Sequence, residues 1–156
     1  MKHLALSLIL LTLCYLFSTT LKNFFENDNV KYHGFVPYNE IAKVMSKATV
    51  LIRCENEENL ENLRYAFSTK IADSLACGRP FFVYASDDFP FVKYLVKNDV
   101  AHIARNKKEI YKVLSRIKKD LEFRNKYISR AQALAQKNHS LDIQCQYVEA
   151  VLNRLL

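Results

Sequence analysis

The sequence predicts an α/β fold, a parallel sheet flanked by helices that ends in a helical C-terminal tail. Three observations lead there. Short apolar runs at residues 49–53 (T-V-L-I-R), 80–85 (P-F-F-V-Y-A) and 100–104 alternate with helical stretches, and each parallel connection needs such a crossover element. The runs lack the one-in-two polar alternation of a half-exposed strand, as expected for strands covered on both faces. From Asn106 onward the pattern is helical only.

Taken in order, Lys2 and His3 precede an apolar run at residues 4–17. It reads either as a buried strand over 4–11 followed by a helix to Asn27, or as a signal- or anchor-like segment. Residues 18–21 offer no A-x-A-like cleavage site, and the run is shorter than the roughly twenty residues of a membrane span, which favours the strand. Residues 30–35 (V-K-Y-H-G-F) give a short strand and turn, and Val36-Pro37 leads into a helix over 39–47 that Asn39 caps. The strand at 49–53 runs into a polar, acidic loop reaching Leu63. Ser68 or Thr69 caps a helix over 70–77, and Gly78 stops it. A strand at 80–85, a loop at 86–88, a helix over 89–97, the strand at 100–104 and helices over 107–119, 121–137 and 141–155 complete the chain. The division is an N-terminal apolar segment, 1–28, and one domain, 29–156.

Composition narrows the function. A chain of 156 residues supports one ordinary core. With two glycines in all, neither a G-x-G-x-x-G nor a Walker phosphate loop can be built. The net charge of +7 favours anionic partners such as nucleotides, nucleic acid or an acidic membrane surface. Ten basic residues between Arg105 and Arg130 fall on helical segments, the pattern of a solvated helix face. The aromatics among them, Tyr111, Phe123 and Tyr127, are spaced like core positions rather than like a base-stacking platform, so no nucleic-acid partner is expected. Cys14, Cys54, Cys77 and Cys145 are scattered, without ligand spacing, and read as reduced, partly buried thiols. His3, His33, His102 and His139 are equally dispersed and read as satisfied structural residues, so no metal is expected.

The stretch with the most chemistry is 67–83, F-S-T-K-I-A-D-S-L-A-C-G-R-P-F-F-V. A helix N-terminus exposes unpaired amides and partial positive charge, suited to a diphosphate, and Ser68, Thr69 and Lys70 add donors there. Asp73, one turn on, can share that face and accept from ribose hydroxyls. Gly78 and Pro80 turn the chain into the next strand.

Here the sequence resembles the C-terminal domain of GT-B glycosyltransferases of the group 1, or family 4-like, type. Residues 30–37 (V-K-Y-H-G-F-V-P) resemble the family's V-x-F-x-G-x-V strand and turn. Residues 40–52 resemble its following helix and strand, and 70–80 (K-I-A-D-S-L-A-C-G-R-P) resemble K-x-x-E-y-L-A-c-G-r-P. The resemblance implies a Rossmann-like half of a GT-B fold. It also implies that Asp73 stands at the second glutamate of the family's E-x-x-x-x-x-x-x-E pair and holds the donor ribose. The first falls at Tyr65, which carries no carboxylate. Ser68, Thr69 and Lys70 match the diphosphate-binding helix start, and Gly34, Phe35 and Val36 match the turn against the nucleotide base. No catalytic residue follows from the match.

The implied function is donor binding in a glycosyltransferase that moves a sugar from a nucleoside diphosphate sugar to a glycan, lipid or protein acceptor. The chain reads as truncated or as one part of a split enzyme, inactive alone, with no cofactor beyond the nucleotide sugar. A separate N-terminal acceptor-domain subunit is the expected partner. The expected location is cytoplasmic, with peripheral contact to anionic membrane allowed by the charge. The alternative is a non-catalytic membrane- or protein-interaction module on the same half-fold.

Overall fold

The computed structural model describes residues 35–55, 60–63, 65 and 67–155. The strand expected at 4–11, the helix after it and the strand at 30–35 up to Gly34 lie outside the described residues, and Phe35 is in no strand. The described elements run α1 (Tyr38–Met45), β1 (Leu51–Cys54), α2 (Leu60–Leu63), α3 (Thr69–Ala76), β2 (Phe81–Tyr84), α4 (Pro90–Asn98), β3 (His102–Ala104), α5 (Lys107–Lys119), α6 (Leu121–His139) and α7 (Leu141–Leu155). The three strands are parallel in the order β1-β2-β3, with Leu51 opposite Phe81 and Phe82 opposite His102.

Two crossovers stepping in the same direction put α3 and α4 on one face of the sheet, as the right-handed rule for such connections requires. There Leu51, Phe81 and Val83 pack with Ile71 and Leu75 of α3 and with Phe91, Val92 and Leu95 of α4. The opposite face buries Val50, Phe82 and Ala104 under Ile117, with Ile110, Val113 and Leu114 of α5 packed alongside. The remaining face of α5 carries exposed Lys107, Lys108, Lys112, Lys118 and Lys119, so that part of the basic segment is a solvated helix face. α6 joins the two sides. Phe123 lies in the α5 cluster, whereas Ala131 and Ala135 lie against α3 and α4.

Local chemistry fixes the element ends. Asn106 caps α5 by accepting from the Glu109 amide at 3.1 Å, while the Glu109 carboxylate accepts from the Asn106 side chain and the Arg105 amide at 2.7 and 2.8 Å, a reciprocal capping arrangement. Asp120 caps α6 by accepting from Phe123 N at 2.8 Å. Gly78, at φ +72°, follows the end of α3 and turns the chain toward β2.

Four expectations need correction. Asn39 does not cap α1. Pro37 occupies that position, its carbonyl accepts from Glu40 N at 2.9 Å, and Asn39 lies inside the first turn; the ring's fixed φ suits a helix entry and has no amide to lose. The acidic loop after β1 contains the one-turn helix α2. Cys54 and Cys145 are exposed, and among the described residues Cys77 is the partly buried cysteine, its thiol pushed above the usual range chiefly by that burial. His102 is not satisfied: it is 2 % exposed and neither ring nitrogen has a hydrogen-bond partner. It packs instead against Phe123 and Tyr127, at centroid distances of 4.7 and 4.2 Å. His139, in contrast, is bonded to Tyr94.

Burial pushes the His102 pKa down to about 4 from 6.5, with Arg116 acting in the same direction and Asp99 against it. As pH falls below 6.5 the unfolded chain takes up a proton that the native chain refuses until about pH 4. Native stability therefore declines across that window, by at most about 1.4 kcal/mol per pH unit. Urea unfolding midpoints will fall over this range for the wild-type protein and fall less steeply for His102→Phe; parallel slopes would show that the ring is not held neutral. A second prediction concerns Gly78. An added Cβ would meet Gln132 Nε2 at 3.0 Å on backbone that side chains rarely adopt, so Gly78→Ala will lose more than about 1 kcal/mol in the same unfolding assay.

Candidate functional site

In an open parallel sheet, ligands bind outside the carboxyl ends of the strands, where the loops into the crossover helices gather. α3 begins at that edge, after the loop that leaves β1. Its side toward the sheet is set by Ile71 and Leu75, one turn apart and both buried. With those two turned inward, the 3.6-residue period brings Lys70, Asp73 and Ser74 to one flank. Ser74 is tied back by its hydroxyl donating to Lys70 O at 2.8 Å.

Ser68 holds the N-cap position, with φ −72° and ψ 128°, but its hydroxyl makes no capping bond. Ile71 N donates to Ser68 O at 3.0 Å. The amides of Thr69 and Lys70 are thus not answered by the capping side chain, and the positive end of the helix dipole is concentrated there.

A cleft of about 90 Å³ lies between α1, β1 and α3, lined by Ile41 and Met45, by residues 51–53, and by Lys70, Ile71, Asp73, Ser74 and Phe81. Its wall is apolar toward Met45 and Phe81, while Lys70, Asp73 and Arg53 supply its charge. Arg53 is largely buried. It is held by Glu55, Nη2 to Oε1 at 2.5 Å, and lies over the Phe91 ring at 4.7 Å, while its Nε has no hydrogen-bond partner. Its charge is thus answered locally by Glu55, and the unpartnered Nε is shielded from solvent.

The segment entering α3 is anchored from far along the chain. The Phe67 ring stacks on His139 at 5.9 Å and meets the Tyr94 ring edge-on at 5.1 Å. Tyr94 Oη and His139 Nε2 are 2.9 Å apart, and Asn138 Nδ2 donates to the Tyr94 oxygen at 3.2 Å. Partial burial alone moves the His139 pKa downward, which favours the neutral ring that can accept from the tyrosine hydroxyl. The end of α6 thereby braces the residue immediately before Ser68.

Of the site residues expected from sequence, Lys70 and Asp73 come together in the cleft, and Ser68 and Thr69 sit at the α3 opening without lining it. Phe35 and Val36 precede α1 and do not line the cleft; Phe35 is 90 % exposed. Gly34 lies outside the described residues. Tyr65 is almost fully exposed in the turn before α3. Sequence reasoning missed Arg53 and the Phe67–Tyr94–His139 brace. A charged residue closing an apolar strand was a signal for the first. The second joins positions too far apart for any periodicity to link. No group of His, Cys, Asp or Glu residues among the described residues is arranged to hold a metal ion, and among the described residues no helix is long and apolar enough to cross a membrane.

A parallel sheet with helices on both faces, and a cleft beside the helix that opens after β1, places the described domain in the Rossmann-like α/β class. The family model described as glycosyl transferase-like matches residues 13–150, and the chain belongs to that family. Its described architecture is that of half a GT-B fold. No curated protein and no solved structure matches the chain.

If the aromatic brace orders the α3 opening, Phe67→Ala will speed hydrogen exchange at the Ile71 amide by about tenfold, the loss of aromatic contacts worth about 0.5–1.5 kcal/mol each. Exchange at Leu95, deep in α4, will not change; equal acceleration at both amides would mean general destabilisation instead.

Proposed function

We propose that this glycosyl transferase-like chain is the nucleotide-sugar-binding half of a glycosyltransferase, acting in the cytoplasm. The observation that carries this reading is the placement of Lys70 and Asp73 on one flank of α3, in one cleft, beside helix amides that no capping side chain answers. The diphosphate of a nucleoside diphosphate sugar lies against the α3 opening, where the Thr69 and Lys70 amides and the Lys70 ammonium carry its charge. Asp73 accepts from the ribose hydroxyls. The cleft volume of about 90 Å³ is well below the roughly 300–1,000 Å³ of a pocket enclosing a small ligand, so only part of the nucleotide is held there. The base extends toward Phe35 and Val36, ahead of α1.

Transfer breaks the bond between the sugar's anomeric carbon and the diphosphate, and joins that carbon to a hydroxyl of a glycan, lipid or protein acceptor. This half stabilises the negative charge developing on the leaving diphosphate, the electrostatic part of the work. The acceptor site and the group that takes the acceptor's proton belong to a second half, on this polypeptide or a separate subunit, and the described domain alone does not turn over.

A second reading, an interaction module on the same half-fold, is favoured by α7, none of whose described residues is buried and whose Leu141, Tyr147 and Val148 are exposed. The two readings part on nucleotide binding. UDP or GDP at about 100 times its Kd stabilises a binding domain by about 2.7 kcal/mol, which raises Tm by about 5–10 °C at this chain length. Lys70→Gln and Asp73→Ala will each weaken binding by about tenfold, the worth of one charge-assisted hydrogen bond. A Tm unmoved by either nucleotide would defeat the donor-binding reading and leave the interaction module.

A further inference from the structure

The amino edge of the sheet, at the other end of α3 from its opening, carries a second and larger opening. Three segments enclose about 410 Å³ there: the turn between α1 and β1, the turn between α3 and β2, and the first half of α6. Each contributes one cation, Lys47, Arg79 and Arg124 respectively, and Thr49 and Asn125 add a hydroxyl and an amide. Among the described residues no carboxylate lines the opening, and none of the three cations forms an ion pair.

Two of the three have a local reason to be where they are. Lys47 and Arg79 follow the carboxyl ends of α1 and α3, where the helix dipole favours positive charge. Arg124 does not. It lies in the first turn of α6, at the positive end of a helix, and it faces two further cations. Gly78 brings these charges together: its side toward α6 is so close-packed that a Cβ would lie 3.0 Å from Gln132. The turn bearing Arg79 is therefore pressed against the helix bearing Arg124.

We infer that this opening is an anion site for a phosphate-bearing group, distinct from the α3 opening and independent of the nucleotide-sugar reading. A cleft lined by a single sign of charge concentrates the field of that charge. Two guanidinium forks and an ammonium, with a hydroxyl and an amide alongside, match the several acceptor oxygens of a phosphomonoester or diphosphate. The volume admits such a group with part of the molecule that bears it. The phosphate comes either from a free phosphorylated metabolite or from a lipid headgroup, and the shared chemistry is the same.

Inorganic pyrophosphate is the direct probe, titrated by calorimetry against sodium chloride of matched ionic strength. Because pyrophosphate also suits the α3 opening, the measurement is made in the Lys70→Gln background. Binding is expected to persist there and to weaken at least about tenfold when Arg79→Gln and Arg124→Gln are added, as loss of charge-assisted bonds requires. Lys47→Gln, on an exposed turn, gives a smaller loss and serves if the double change impairs folding. No binding in the Lys70→Gln background, or binding indifferent to these cations, overturns the site. Retention of the wild-type chain on phosphatidylcholine vesicles containing phosphatidic acid, absent with phosphatidylcholine alone and abolished by the arginine changes, assigns the lipid source. Pyrophosphate binding without vesicle retention assigns the free one.

Discussion

Ile71 and Leu75 hold α3 against β1 and β2, and the orientation of everything at the carboxyl edge follows from that contact. Each side chain is essentially removed from water, worth about 2–3 kcal/mol in burial. A helix of eight residues has too few internal hydrogen bonds to persist alone, so its direction and rotation are dictated by what those two residues touch. Rotating α3 to present a different flank would expose both, at a cost no surface interaction of Lys70 or Asp73 could offset. The polar flank is thus a consequence of the apolar one, and the helix opening points where the sheet requires.

The surrounding structure reinforces this at both ends of α3. Below, Gly78 lets the chain turn in a space that a side chain would fill, and the turn seats against α6. Above, Phe67 is braced by Tyr94 and His139 from α4 and the end of α6. One long helix therefore touches both the exit and the entrance of the short one. Precise placement of an anion-binding helix start requires such support, because a loop anchored only by its own backbone samples many positions.

The fold was largely legible in the sequence where periodicity governs it. Helices α5 and α7 occupy 107–119 and 141–155 as the pattern predicts, β2 and β3 fall inside their apolar runs, and β1 overruns its own by one residue, to Cys54. Boundaries moved where a local rule outranked the pattern, as when Pro37 rather than Asn39 set the start of α1. The candidate site was legible in its local part: a lysine and an aspartate on one flank of a helix need only the helical period. Its long-range part was not. Arg53 beneath Phe91, and Phe67 against His139, depend on the crossover geometry that brings separate helices onto one face. His102 misled for a related reason, since a histidine at the head of a strand reads the same whether its nitrogens find partners or face two aromatic rings.

The basic character of the chain also resolves into parts. The lysines of α5 are a solvated face, Arg116 lies over Phe123 at 3.7 Å and pairs with Asp120, and Arg130 pairs with Asp99. Lys47, Arg79 and Arg124 gather at the amino edge of the sheet and Lys70 stands at the α3 opening, so a nucleotide diphosphate has two cationic destinations. Amide NMR of the labelled protein titrated with UDP and with GDP separates them in one experiment. The account predicts that the Thr69, Lys70 and Asp73 resonances shift first, at the lowest concentration of whichever nucleotide binds. Shifts confined to Lys47, Arg79 and Arg124, with the α3 opening unmoved by either nucleotide, would contradict it.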